Sequence, residues 1–220
     1  MMATDAEKLL ARVREAAEKK LASASGCHDF DHTLRVYANA KMLAAELPEA
    51  DREIVALAAL LHDIARPEEF ASQGKLCHAA EGAKIAERML LDFGASPETA
   101  RAVADAVRSH RYRDEVPPET LEAKIVFDAD KLDSLGAVGL GRAFLFAGHC
   151  GARLHNTEAE ALGSPAYSRE DTAYREYLVK LRKLPAAMLT APGRAEGARR
   201  LRFMRRFFDR LDAEIRAAAK

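Results

Sequence analysis

This chain carries no excess of charge of either sign: 34 Lys and Arg balance 34 Asp and Glu over 220 residues. That balance argues against a polyanion-binding surface spread over the whole molecule, so no nucleic-acid partner is expected and any phosphate affinity has to be local. Long apolar runs are absent too. No stretch approaches the roughly 18 uninterrupted apolar residues of a membrane span, and residues 1–8 lack the basic-then-apolar pattern of a secretory leader. The expectation is a cytoplasmic protein with no membrane partner. Cysteine is scarce and odd in number, with Cys27, Cys77 and Cys150 far apart in sequence, which reads as reduced thiols. Cys27-His28 and Cys77-His78 lack the close Cys-x2–4-Cys spacing of structural zinc sites. Strand patterns and internal repeats are missing. So is a phosphate loop, because the glycines of Gly136-Ala-Val-Gly139-Leu-Gly141 follow a helix without a P-loop lysine and read as close helix packing.

What the chain has in quantity is helical periodicity in Ala, Leu, Glu, Arg and Lys. Helices are predicted over residues 5–21, 31–47, 49–65, 78–93, 97–110, 119–135, 137–147, 169–184 and 192–219. Asp29 or Asp31 caps the second, Pro48 ends it, and Ser96 with Pro97 opens the fifth. Residues 67–77 read as a polar loop and 148–167 as the least regular stretch. The fold class is all-α, about nine helices packed as one domain over residues 1–220. In the last helix Phe203, Phe207, Phe208 and Leu211 form an apolar face expected to close the core, with a homodimer contact as the alternative.

Three stretches depart from this pattern. In Leu57-Ala-Ala-Leu-Leu-His62-Asp63-Ile-Ala-Arg66 an otherwise apolar helix carries an adjacent imidazole and carboxylate. Neighbouring helical side chains diverge by about 100°, so the pair cannot share one apolar stripe, yet it can grip one cation from two sides. A buried carboxylate requires either a cation or a hydrogen-bond network. Upstream, Gly26-Cys-His28-Asp-Phe-Asp31-His32-Thr-Leu-Arg35 opens a helix with two histidines four apart. Downstream, Asp128, Asp130 and Asp133 with Lys131 interrupt an apolar helix, and because they point different ways only one of them can join His62 and Asp63. Imidazole and carboxylate donors suit Mn, Fe, Co, Ni or Zn, and the lack of thiolates argues against structural zinc.

His32-Thr-Leu-Arg-Val, Ala-Leu-Leu-His62-Asp63-Ile and Phe-Asp-Ala-Asp130-Lys-Leu-Asp together resemble the H…HD…D signature of the HD-domain metal-dependent phosphohydrolases, over about residues 26–136. The resemblance implies an HD-domain helical bundle in which residues 26–136 are the metal-binding core and 137–220 a helical extension. It implies that His32, His62, Asp63 and Asp130 hold one divalent metal (Mn, Mg, Co, Ni, Fe or Zn), with Asp128 the alternative to Asp130. In some branches further histidines bind a second metal, and His78 and His110 stand in the matching interval. Asp63 and Lys131 are the candidate catalytic residues. His28, Arg35, Arg66, His78, His110 and Lys131 are the candidates for substrate contact, with Lys75 and Arg111 further candidate cations.

The chemistry of such a site is hydrolytic. A divalent ion lowers the pKa of water from about 15.7 toward roughly 7 and offsets charge on a phosphoryl oxygen, and phosphoryl transfer depends chiefly on positioning and charge stabilisation. The expected partner is a small phosphorylated molecule, a nucleotide foremost, and the resemblance to small bacterial nucleotide pyrophosphohydrolases tilts this toward a nucleoside triphosphate. Ile64-Ala65-Arg66-Pro67 stands where alarmone hydrolases carry acidic residues, which argues against that substrate. Two rivals share the residues: a di-iron oxygenase using His78 and His110, and a non-catalytic ligand-binding or regulatory module.

Overall fold

In the computed structural model, residues 4–22, 29–111 and 116–218 are described. They form helices α1 (Asp5–Leu21), α2 (Phe30–Ala45), α3 (Arg52–Leu61), α4 (Arg66–Ala71), α5 (His78–Asp92), α6 (Pro97–Ser109), α7 (Leu121–Asp133), α8 (Gly136–His149), α9 (Glu158–Gly163), α10 (Ala173–Val179), α11 (Leu184–Ala187) and α12 (Ala191–Ala218). A single 3-10 turn, Leu181–Lys183, lies between α10 and α11. The fold is all-α, and no strand occurs among the described residues. Among the described residues, no helix is long and apolar enough to cross a membrane.

Several helix starts follow from their caps. Thr4 closes a capping box with Glu7 at the head of α1, the Asp29 carboxylate accepts the backbone N–H of His32, and Asp51 accepts from Glu53 and Ile54. Ser96 accepts from Thr99, with Pro97 in the first turn of α6.

The contacts divide the chain into two compact units, Met1–Asp130 and Lys131–Lys220. In the first, the core is built from Val13 and Ala17 of α1, Leu57, Leu60 and Leu61 of α3, Ala83, Ala86 and Leu90 of α5, and Val103 and Val107 of α6, all buried. Small residues let α5 and α6 approach closely: a Cβ on Gly82 would already stand 3.4 Å from Val107 Cγ1. In the second unit Leu140, Ala143, Leu178, Leu184, Met188, Met204 and Phe208 are buried. The Asp133 carboxylate accepts from Arg142 at 2.6 Å, and Asn156 donates to the Glu170 carbonyl while accepting from Thr172.

Four expectations need correction. The third helix stops at Leu61 rather than Ala65: Ile64 N–H donates to Leu61 O and Arg66 N–H to Asp63 O, three residues back, so residues 62–65 are a tight turn. The polar loop expected over 67–77 begins as α4, because Pro67 lies in a first turn whose N–H groups have no helical acceptor. The irregular stretch over 148–167 contains α9, started by a Thr157–Glu160 capping box. On α12 the face turned inward is Met204 and Phe208, whereas Phe203 and Phe207 are exposed.

Candidate metal centre

Five segments of the first unit bring donors to one buried place: His32 from α2, His62 and Asp63 from the turn after α3, His78 at the start of α5, His110 capping α6, and Asp130 from α7. The sequence explains much of this delivery. Every residue from Val55 to Leu61 is buried, so α3 enters the core and carries the doublet with it. Asp29 fixes the first turn of α2 through the N–H of His32, and buried Asn39 on the same helix donates to the Ala129 carbonyl at 3.1 Å, one residue before Asp130.

The donors fall into two groups, His32, His62 and Asp130, and Asp63, His78 and His110, the ligand atoms of each lying within 4.8 Å of one another. Within the first, His62 Nε2 is 3.2 Å from His32 Nε2, and His32 Nε2 is 3.5 Å from Asp130 Oδ1. Within the second, His78 Nε2 is 3.2 Å from His110 Nε2, and the two lie 3.2 and 3.4 Å from Asp63 Oδ1. Asp63 also faces the first group, with Oδ2 3.6 Å from both His32 Nε2 and His62 Nε2. One carboxylate thus presents one oxygen to each group. Neighbouring imidazoles meet edge to face or tilted, at centroid spacings of 5.2 Å from His32 through His62 and His110 to His78.

The protonation pattern tests whether these residues suit a cation. His62 Nδ1–H donates to Ala59 O at 2.8 Å and His110 Nδ1–H to Val107 O at 2.6 Å. A carbonyl only accepts, so the proton of each neutral ring sits on Nδ1 and the Nε2 lone pair faces the cluster. Burial pushes both histidines below their ordinary pKa against the opposing pull of Asp63, which favours that neutral form. Nitrogen lone pairs and carboxylate oxygens therefore converge within hydrogen-bond distance of one another. Such a set is repulsive unless positive charge lies among it, and its N and O donors are those of Mn, Fe, Co, Ni or Zn. The residues fit a divalent metal.

Arg66 supplies one fixed positive charge. Its Nε–H donates to Asp63 Oδ1 at 2.9 Å and its Nη1 to Glu69 Oε2 at 2.8 Å. Burial works against that charge, but Asp63 and then Glu69 outweigh it and hold the guanidinium firmly cationic. Glu69 also meets His78, with Oε1 2.9 Å from Nδ1, and Arg111 Nη1 at 3.7 Å.

Of the predicted site residues, His32, His62, Asp63 and Asp130 are brought together, and His78 and His110 join them. Asp128 is buried on α7 outside both donor groups, and Asp133 pairs with Arg142. Arg35 is half-buried one turn after His32, and Lys75 is exposed. Lys131 is buried on α7 and belongs to the second unit. His28 lies outside the described residues. Glu69 was not foreseen: within Arg66-Pro-Glu-Glu69 it reads as an ordinary acidic first turn, and only the need of His78 for an acceptor points to it.

Known proteins place this arrangement. The HD domain family matches residues 29–135. The uncharacterized protein YpgQ of Bacillus subtilis is 32% identical over 210 residues, which span 93% of this chain and 92% of that protein. This chain belongs to the HD superfamily. Solved relatives in that superfamily have the same fold along nearly the whole chain. An HD-superfamily hydrolase from Bacillus thuringiensis is 27% identical, with a TM-score of 0.74 and coverage of 97% of this chain and 100% of that one. The structure of B. subtilis YpgQ in complex with ADP is 28% identical, with a TM-score of 0.73 and coverage of 96% and 97%. The HD-superfamily hydrolase fold and the His/Asp clusters support a metal-dependent, phosphohydrolase-type function.

Proposed function

We propose that this HD protein is a divalent-metal-dependent phosphohydrolase acting on a small phosphorylated substrate, a nucleotide foremost. The observation that carries the reading is buried Asp63, whose two oxygens face two separate donor groups while Arg66 balances its charge. His32, His62, Asp63 and Asp130 hold one metal, and His78 and His110, with the second oxygen of Asp63, offer a place for another. A metal bound there supplies charge neutralisation at a phosphoryl oxygen and a water acidified enough to attack phosphorus near neutral pH. The protein's own part is positional. The carbonyls of Ala59 and Val107 fix the tautomers of His62 and His110, so that both present lone pairs. Arg66 pairs with Asp63 and holds its carboxylate in place. A nucleotide is favoured because the related YpgQ binds ADP, and a nucleoside triphosphate is the first substrate to try.

The test is a panel of nucleoside mono-, di- and triphosphates and simple phosphodiesters, run on metal-stripped protein with Mn, Mg, Co, Ni or Zn restored, with separate detection of phosphate and pyrophosphate. Metal-dependent release from nucleotides is the expected result. Inactivity on every substrate with every metal overturns the proposal. The four-histidine, two-carboxylate set also suits a di-iron centre that activates dioxygen; about two irons per chain with oxygen consumption and no phosphate release would transfer the assignment to that chemistry.

A further inference from the structure

Three histidines of the cluster have an Nδ1 with an oxygen within 3 Å, and one of the three is placed differently from the others. His62 and His110 sit immediately past the last residues of α3 and α6, where helix carbonyls have no N–H partner four residues on. Each ring turns back and donates Nδ1–H to the carbonyl three residues earlier, Ala59 and Val107. A helix C-terminus thus sets the tautomer without help from any other side chain. His78 is the first residue of α5, at the opposite kind of helix end. The backbone there exposes N–H groups, and no helical carbonyl lies three residues upstream, so His78 Nδ1 requires an acceptor from elsewhere. Glu69, on α4, stands within reach: Oε1 lies 2.9 Å from the buried His78 Nδ1, at ion-pair distance though not aligned as a hydrogen bond, while Oε2 accepts from Arg66 Nη1 at 2.8 Å.

We infer that Glu69 is the positioning residue of the second donor group, accepting the Nδ1 proton of His78 so that the Nε2 lone pair is turned toward Asp63 and His110. The inference rests on the metal-centre reading above and deepens it, because it assigns a role that neither the doublet nor the histidines supply. Glu69 touches no reacting atom. Its effect passes through His78, as carboxylates that hydrogen-bond a metal-bound imidazole act generally, with changes costing roughly 10- to 100-fold in metal affinity.

The test compares wild type, Glu69→Ala, Glu69→Gln and Arg66→Gln. In metal-stripped protein at pH 8, long-range proton–nitrogen correlation spectra report which ring nitrogen of His78 carries the proton. Wild type is expected to show the Nδ1–H form. Glu69→Ala is expected to move the proton to Nε2, Glu69→Gln to retain Nδ1–H in part through its amide oxygen, and Arg66→Gln to leave the His78 tautomer as in wild type. Calorimetric titration of the same proteins with Mn is expected to show about 10- to 100-fold weaker binding at one site in Glu69→Ala, with partial recovery in Glu69→Gln. An unchanged His78 tautomer in Glu69→Ala overturns the assignment, as does an Arg66→Gln spectrum that matches Glu69→Ala. Should Glu69→Ala fail to fold, the same two criteria apply to Glu69→Gln and Arg66→Gln, with a Glu69→Gln spectrum identical to wild type counting against the role. If wild type shows Nδ1–H but binds no metal, the metal-centre reading fails and the metal role of Glu69 falls with it; if wild type binds metal and Glu69→Ala binds it equally, only the inference fails.

Discussion

Replacing Asp63 with Asn is the most discriminating perturbation of this centre. The amide keeps the shape of the side chain but removes the charge that both donor groups share, since Oδ2 is 3.6 Å from His32 and His62, and Oδ1 is 3.2 Å from His78 and 3.4 Å from His110. In wild type, Mn at one hundred times its Kd adds about 2.7 kcal/mol of stability. At roughly 2–4 °C per kcal/mol for a chain of this length, that is a rise in Tm of about 5–11 °C. Changes one shell further out already weaken metal binding by up to about 100-fold, so loss of a direct carboxylate donor costs at least that much. A 100-fold loss at the same Mn concentration leaves only about 0.4 kcal/mol, a rise of about 1–2 °C. The quantity to compare is the difference between melts with and without Mn for each protein, because the amide also deprives Arg66 of its charged partner and lowers the baseline. Asp130→Asn and His110→Ala are the controls: each disturbs one donor group and is expected to keep part of the shift and one of two bound metals. A full Mn-induced shift in Asp63→Asn, or no shift in wild type with any of Mn, Co, Ni, Zn or Mg, refutes the shared-carboxylate arrangement.

Further outcomes follow from the same geometry. Metal-free protein should lose stability as pH falls below the ordinary histidine value of 6.5, because the unfolded chain then binds protons that the buried, neutral His62 and His110 resist; each adds a slope of up to about 1.4 kcal/mol per pH unit, measurable by denaturant titration from pH 7.5 to 5.5, and a flat profile contradicts it. Leu61→Ala, at a fully buried position of α3 beside the doublet, should cost about 2–5 kcal/mol in urea unfolding. On α8, Gly139→Ala and Gly141→Ala should differ in sign: a Cβ at 139 would stand 2.2 Å from the Ser134 carbonyl oxygen, whereas nothing lies within 4 Å at 141. The first should cost about 1–3 kcal/mol and the second gain up to about 1 kcal/mol from helix propensity, read from paired melts. Arg142→Ala removes a 2.6 Å partner from the buried Asp133 carboxylate and should cost about 3–5 kcal/mol, with Asp133→Asn in the same chain recovering part of it.

Much of the architecture was legible in the primary structure because helix signals are local. The 3.6-residue spacing of Val13 and Ala17 or Val103 and Val107, the Asp29 and Ser96 caps and Pro97 all act within a turn or two of where they stand. The boundary past Leu61 was not legible. Ile64 and Ala65 resume the apolar pattern just past the doublet, and the helix yields there to a tight turn that periodicity does not encode. The exposure of Phe203 and Phe207 was equally hidden, since an apolar stripe on a long helix states how wide a face is and not how much of it is covered.

For the site, residue type and order alone determined that imidazoles and carboxylates sit in apolar helices, where a charge must be met by a partner, and the doublet followed by Asp130 marks where. Tertiary structure decided which atoms face one another. It set Asp130 rather than Asp128 within reach of His32, split the two oxygens of Asp63 between two donor groups, and brought Glu69 to a histidine nine residues away across a helix boundary. Side-chain chemistry is carried by single residues and survives in a string of letters. Convergence depends on the angles between helices and on which end of a helix a ring occupies, and packing alone settles those.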